Sequence, residues 1–160
     1  MQEVILIDEV LSAEVGCSNE VADVFEIEWF ETQKQLIKRQ TKQGVELHLT
    51  KTVNRDWQQG DLLCANGVCL AKIAVKPALC IVFSSDVERE VADFCYYIGN
   101  RHLPLFTDAD KKSFTVPYDG NLYEQLLAKL NDKISLQEKT LLMQNEVKNV
   151  RKLIKLSNEK

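Results

Sequence analysis

Apolar and polar residues alternate with a period of two through much of the first half of the chain. From Val24 to Trp29 the alternation is between apolar and acidic residues, and a second alternating run covers residues 45–50. A polar-rich segment through Leu36 and the sequence Thr41–Gly44 lie between the two runs. Because alternate side chains of a strand lie on opposite faces, this pattern predicts a strand from Val24 that includes Trp29. It also predicts a β-hairpin that turns at Thr41–Gly44.

A second hairpin is indicated by Asn66-Gly67, which separates strand-like runs at 61–65 and 68–75. This dipeptide favours a type I′ turn, since both turn positions need a positive φ. The apolar start of the chain, residues 1–9, predicts a first strand. Together these runs predict a β-rich amino-terminal domain over residues 1–75.

Beyond residue 75 the period changes, and strand patterns alternate with helical ones. The predicted strands lie at 78–83, 102–106, 113–116 and 134–136, and the predicted helices at 86–98 and from 121 onward. In both helices apolar residues recur at intervals of three and four. The order βαββαβ is that of the ferredoxin-like arrangement. The sequence therefore predicts an α+β protein with a ferredoxin-like domain over residues 76–139.

Local signals mark the ends of the first predicted helix. Ser85 is followed three residues later by Glu88, which is the pattern of a capping box. Gly99 is predicted to end the helix, because glycine adopts the left-handed conformation that often follows a helix. At the second helix Asn121, with Glu124 three residues later, is the predicted capping residue.

His102 begins the strand that is predicted after this turn. In a strand Leu103 and Leu105 share one face, while His102, Pro104 and Phe106 share the other. If the leucines face the core, His102 faces outward, and Pro104 favours an edge position. Imidazole is the commonest metal ligand, although a single histidine is more often a surface or capping residue. Both interpretations of His102 stay open on the pattern alone.

The end of the chain has its own helical pattern. Met143, Val147, Val150 and Ile154 recur at helical spacing and predict an amphipathic tail helix over residues 140–160. Such a helix either packs on the domain or serves a partner.

Composition narrows the class of protein. The chain has 160 residues, 45% of them hydrophobic and 28% charged, which excludes a disordered chain. A net charge of −4 argues against a nucleic-acid surface. The most apolar stretch, residues 70–83, is interrupted by Lys72 and Lys76 and is too short to span a bilayer. The chain also lacks the pattern of a secretory signal, so a cytoplasmic protein is predicted.

The five cysteines are dispersed and lack Cys-x-x-Cys spacing, a pattern that favours reduced thiols over a disulfide framework. They are Cys17, Cys64, Cys69, Cys80 and Cys95. A two-residue turn at 66–67 places Cys64 opposite Cys69, where the pair can pack as small apolar residues, bind a soft metal or be oxidised. The sequence shows no nucleophile–base pair, phosphate-binding glycine loop or paired catalytic carboxylates, so an enzyme is not predicted.

One segment resembles a known family. Residues 96–104, Tyr-Tyr-Ile-Gly-Asn-Arg-His-Leu-Pro, are similar to the Tyr-x-Leu-Gly-Asn-Arg-His signature of UreE, a urease accessory protein that carries nickel. The basic segment 34–39, the turn 41–44 and Gly-Asp-Leu-Leu at 60–63 resemble the family's amino-terminal half more loosely. The strand at 34–39 has glutamines nearby where the family commonly has more arginines.

The resemblance implies a function and a site. His102 corresponds to the histidine that is the family's central nickel ligand. The implied protein is a homodimer that pairs His102 at its axis through the carboxyl-terminal domain and binds Ni²⁺, with Zn²⁺ as a competitor. It would hand nickel to the urease apoprotein through the accessory GTPase UreG.

A departure from the family keeps a second hypothesis open. UreE proteins often have histidines in a carboxyl-terminal tail or in the strand after the signature, whereas this chain has neither and contains no histidine from Gln137 onward. His48, its other histidine, is predicted to be a solvated strand residue. The alternative is a homodimeric interaction or adaptor module without effective nickel delivery.

Overall fold

The computed structural model describes residues 3–13, 21–51, 54–108 and 113–148. The chain divides into two compact units, Met1–Pro77 and Ala78–Lys160. Within the described residues the structure contains many strands and two α-helices, so the protein belongs to the α+β class. Neither of these helices has the length and apolar character needed to cross a membrane.

The first unit consists of strands that form two sheets. The strands are β1 (Val4–Ile7), β2 (Glu9–Leu11), β3 (Val24–Ile27), β4 (Leu36–Gln40), β5 (Glu46–Thr50), β6 (Leu62–Ala65) and β7 (Val68–Val75). One sheet has the order β1-β5-β4 and the other the order β2-β6-β7-β3. The β1–β5 and β3–β7 pairs are parallel, and the remaining pairs are antiparallel. The β-rich character predicted for this part of the chain is confirmed.

Both predicted hairpin turns are present. Gly44 has φ +86°, and the Thr41 hydroxyl accepts a hydrogen bond from the Val45 amide at 3.1 Å. Asn66 and Gly67 have φ values of 51° and 80°, as a type I′ turn requires. Both turns follow from residues within the turn itself, and this is why the sequence predicts them.

The prediction that strand β3 includes Trp29 is wrong. The strand ends at Ile27, and Trp29–Glu31 forms a 3₁₀ turn. The Glu31 carboxylate is almost fully buried and accepts a hydrogen bond from the Glu28 amide at 2.8 Å. This bond satisfies a backbone donor at the start of the turn and draws Glu31 inward, so the alternation of the strand stops.

The second unit has the element order βαββαβ. Its elements are β8 (Ala78–Ser84), α1 (Glu88–Asn100), β9 (Phe106–Thr107), β10 (Ser113–Pro117), α2 (Gly120–Leu130) and β11 (Ile134–Lys139). The sheet has the order β11-β8-β10-β9, and all neighbours are antiparallel. Apolar residues of the sheet and both helices form one core, in which Phe83 and Phe94 stack with ring centroids 4.2 Å apart.

Different residues from those predicted cap the two helices. The first helix begins after Val87, and the Ser85 hydroxyl accepts the Val87 amide while donating to Glu90 rather than forming a capping box with Glu88. At the second helix Asp119 accepts the Leu122 amide at 2.9 Å. An aspartate in extended conformation three residues before a free amide is an effective cap, and it takes the place predicted for the asparagine at 121.

The tail helix predicted over residues 140–160 is wrong for its described part. Met143–Asn145 forms a 3₁₀ turn, and Glu146 makes an antiparallel bridge with Phe106. The Val147 amide donates to the Leu105 carbonyl at 2.7 Å. Pairing with the edge of the sheet replaces the bonds that a helix would make, and residues 149–160 of the prediction lie outside the described residues.

Candidate functional site

His102 lies in the turn that ends α1, and its backbone is left-handed with φ +58°. The His102 amide donates to the Gly99 carbonyl at 3.0 Å, and the Leu103 amide donates to the Ile98 carbonyl at 3.3 Å. These two bonds are the pair that defines a Schellman motif, in which the residue after the helix cap is left-handed. That position is most often glycine, and here it is His102.

The prediction that Gly99 ends the helix is therefore wrong. Gly99 lies inside α1, which continues to Asn100, and a Cβ atom at Gly99 would meet no atom within 4 Å. Leu103 packs against the core that contains the buried Ile98. An apolar contact of this kind accompanies Schellman motifs, and it explains why the turn falls at residue 102 rather than at the glycine.

The strand predicted to begin at His102 is shorter than expected. It covers only Phe106–Thr107, and Phe106 is buried although the prediction placed its side chain on the outer face. β9 is an edge strand, as the proline at 104 indicated. His102 itself is exposed, as predicted, but through the helix terminus rather than through strand alternation.

An open pocket of about 520 Å³ lies beside the imidazole, between the end of α1 and residues 146–148. Cys95 lines it together with His102. Burial raises the pKa of the Cys95 thiol, so this sulfur stays protonated at neutral pH. A protonated thiol is a poor metal ligand, which leaves the imidazole as the better donor of the two.

The residue before the histidine is held by an aromatic ring. The Arg101 guanidinium lies 4.3 Å from the centroid of the Tyr97 ring, and the Lys129 ammonium lies 5.0 Å from the same centroid. The Tyr97 hydroxyl donates to Gln125 at 2.6 Å. Sequence reasoning missed this cluster, although the spacing of four residues between Tyr97, in the last turn of α1, and Arg101, just after it, is a signal that points to it.

The described residues supply few metal donors around His102. Among the residues that the structure describes, no three His, Cys, Asp or Glu side chains are grouped so that they can hold a metal ion. His48 is half-buried in the first unit, and its Nε2 atom lies 3.7 Å from Glu46. Nickel takes four to six ligands, so a site at His102 needs more donors than the described residues group around it.

The basic segment of the first unit is largely engaged in internal bonds. The Arg39 guanidinium donates to both carboxylate oxygens of Glu31, at 2.9 and 2.8 Å, and Lys34 donates to the same carboxylate at 3.1 Å. The bonds from Arg39 are the main reason why the pKa of Glu31 is lowered to about 2. Lys38 is exposed on this strand. The charges of Lys34 and Arg39 are thus used within the fold, where both side chains bond to Glu31.

The expectation of reduced thiols is wrong for one pair of cysteines. Cys64 and Cys69 are opposite one another in the β6–β7 ladder, as predicted, and they form a disulfide. The register follows from the two-residue turn, whereas the oxidation state depends on the surroundings and has no signal in the spacing. Cys80 and Cys95 are free thiols, and Cys17 lies outside the described residues.

The class of protein is indicated by relatives of known name. Several relatives are urease accessory proteins, and no family model matches the chain. The relative from Acetivibrio thermocellus is 31% identical over 105 residues, which are 66% of this chain and 67% of the relative. The relative from Actinobacillus pleuropneumoniae is 32% identical over 120 residues, 74% of this chain and 63% of the relative. The relative from Helicobacter bizzozeronii is 30% identical over 128 residues, 79% and 70% of the two chains.

The chain belongs to the family of the urease accessory protein UreE. The matches span about two thirds of the length of these relatives. Members of the family are accessory proteins, so membership confirms the prediction that the chain is not itself an enzyme. The resemblance that the sequence showed around His102 is thereby confirmed at the level of the family.

Proposed function

We propose that the protein binds Ni²⁺ through His102 and delivers it during assembly of the urease active site. The observation that carries this proposal is an exposed imidazole at the end of α1, within the Gly-Asn-Arg-His sequence that resembles the family signature. Nickel is here the cargo and not a resident cofactor. The open pocket beside His102 supports exchange, because neighbouring donors can enter and leave it.

The second donor set is proposed to come from a second copy of the chain. In a twofold dimer the same surface meets itself, so a histidine near the axis is presented as a pair. We assign this dimer to a ferredoxin-like domain over residues 76–139, which the βαββαβ order and the antiparallel sheet support. Two imidazoles then bind one nickel, with water or further groups completing the shell.

Partners follow from the same proposal. The protein would act in the cytoplasm with the urease apoprotein and the accessory GTPase UreG, and the β-rich domain over residues 1–75 would contact a partner. Its relatives are described as urease accessory proteins, which supports a place in urease maturation. Zn²⁺ should compete at the site, because imidazole pairs discriminate poorly between the two metals.

Nickel titration by calorimetry, with light scattering to measure mass, tests the proposal. We expect one tight nickel ion per dimer in the wild type and none in His102→Ala, with the dimer retained in both. His48→Ala is the matched control, because it removes the other histidine and should leave the titration unchanged. One tight nickel per monomer, or tight binding by His102→Ala, would contradict the proposal.

The alternative is an adaptor module that keeps the dimer without effective nickel delivery. It is favoured by the absence of histidine from Gln137 onward and by the single imidazole at the site. A wild-type dimer that binds nickel no more tightly than His102→Ala would support this alternative.

A further inference from the structure

We propose that Cys64 and Cys69, once reduced, form a binding site for one soft monovalent cation of the Cu(I) class. The two residues are opposite one another in the β6–β7 ladder and form a disulfide. They belong to the first unit, whereas His102 belongs to the second. The proposal therefore stands or falls independently of nickel delivery.

The hairpin does not need this disulfide in order to hold its shape. The type I′ turn at Asn66–Gly67 fixes the register, β2 pairs with β6, and β3 pairs with β7. The cysteines are five residues apart, and closing so short a loop constrains the unfolded chain least. The disulfide therefore adds little stability to this hairpin. A chemical role for the two thiols explains the cysteine pair better than a stabilising role does.

The two sulfurs differ in access. Cys64 is 1% exposed, and Cys69 is half-buried next to the exposed Val68. Attack by a reductant is therefore expected to begin at the Cys69 sulfur, with the Cys64 sulfur leaving. A disulfide with one partly accessible sulfur suits a compartment where thiols are kept reduced, in which such bonds are usually transient or redox-sensing.

The cysteine pair reacts in two steps, reduction of the disulfide and then binding of the cation. A phosphine reductant and one water convert the disulfide into two thiols and a phosphine oxide. Each thiol then loses one proton as its sulfur binds the cation. Cysteines opposite one another on neighbouring strands keep their Cβ atoms about 4.5–5.5 Å apart, a span that a single cation between two sulfurs can bridge.

The number of ligands selects the cation. No group of three or more His, Cys, Asp or Glu side chains that can hold a metal occurs in the described ranges, so zinc and nickel lack ligands at this hairpin. Thiolates select Cu(I), which is stable with two sulfur ligands. Cys64 is itself almost fully buried, which restricts the access of water that would complete a larger shell.

The test is a Cu(I) titration of the full chain against a chromophoric Cu(I) chelator under anaerobic conditions. The protein is reduced with a phosphine and desalted before titration. We expect one equivalent of Cu(I) per chain in the reduced wild type and none in the oxidised wild type. Cys64→Ser and Cys69→Ser should each lose the equivalent, and circular dichroism checks that each variant is folded.

Cys95→Ser is the matched control, because it removes a free thiol and leaves the pair intact, so it should retain the equivalent. Equal binding by oxidised and reduced wild type, no binding by the reduced wild type, or binding retained without Cys69 would each overturn the proposal. The comparison between oxidised and reduced wild type tests the proposal even if a serine variant fails to fold. His102→Ala separates the two sites: it should lose nickel and keep Cu(I).

Discussion

His102 combines an exposed imidazole with a backbone conformation that few side chains adopt. Histidine is among the residues enriched at positive φ, but it still has a Cβ atom, and the left-handed conformation costs about 1 kcal/mol more for it than for glycine. The Ile98 and Gly99 carbonyls and the Leu103 contact hold the residue there. Strain kept at a residue with an exposed donor group is typical of functional sites.

A first prediction follows for this residue. His102→Gly should raise the free energy of unfolding by about 1 kcal/mol, because glycine adopts the left-handed conformation without a clash, and it should abolish tight nickel binding. His102→Ala keeps the strain and should change stability by less than about 0.5 kcal/mol. Urea denaturation of the three proteins gives the comparison. If His102→Gly is no more stable than His102→Ala, the left-handed backbone at residue 102 holds no strain that glycine relieves.

Glu31 gives a prediction about pH. Its folded pKa of about 2 lies below the ordinary value of 4.5, so the ionised carboxylate stabilises the fold above pH 4.5. That stabilisation, on the order of 3 kcal/mol, is lost as the pH falls from 4.5 toward 2. Glu31→Gln should be less stable than wild type at pH 7, and the gap should narrow in acid. A gap of constant size between pH 7 and pH 3 would show that the ion pair with Arg39 is not its source.

The sequence predicts a structural feature well when the residues of that feature determine it themselves, and poorly when packing against distant residues determines it. Asn66 and Gly67 form the predicted turn because their own preferred φ values define it. The end of α1 is set by Leu103, which packs against the core that contains Ile98, and a sequence pattern that considers only the glycine misplaces it. The family signature identified His102 as the candidate ligand although the local structure assigned to it was wrong.

Helix α1 contains Gly99 at a position whose backbone does not require glycine. Gly99→Ala should stabilise the protein by about 0.5–1 kcal/mol, because glycine is a poor helix former and the new methyl group meets no atom. Nickel affinity should be unchanged, since His102 keeps its backbone bonds. Thermal unfolding with a parallel nickel titration measures both quantities. A destabilised Gly99→Ala variant would show that the helix end requires glycine at this position.

The tail helix predicted from residue 140 was wrong in its described part because an edge strand competes for its backbone bonds, whereas the strand predicted at 102–106 was shortened by the turn at His102. Glu146 pairs with Phe106 and Val147 with Leu105, so the segment after β11 bonds to the edge of β9. Helical spacing in a sequence does not reveal an edge strand that offers competing bonds. The apolar residue Val147 was counted in a helical stripe, and its backbone instead joins the edge of the sheet.

In the proposed dimer, nickel binding and dimer formation are thermodynamically linked. A ligand that binds only the folded dimer raises its melting temperature, and the melting temperature of a dimer also rises with protein concentration. We expect nickel to raise the melting temperature of the wild type and to leave that of His102→Ala unchanged. Scanning calorimetry at two protein concentrations is the measurement, and an equal nickel-induced rise in both proteins would argue for a site elsewhere.

The parallel strand pairs of the first unit also determine the order in which it can fold. β1 pairs with β5, Val4 opposite Glu46, and β3 pairs with β7, Val24 opposite Lys72, so both pairs join segments that are far apart in the sequence. The two hairpins join segments that are close together and can form early. Contacts between distant segments carry a larger entropic cost and form slowly. During synthesis β1 and β3 therefore stay unpaired until β5 and β7 have been made. Until then their apolar residues are exposed to other chains.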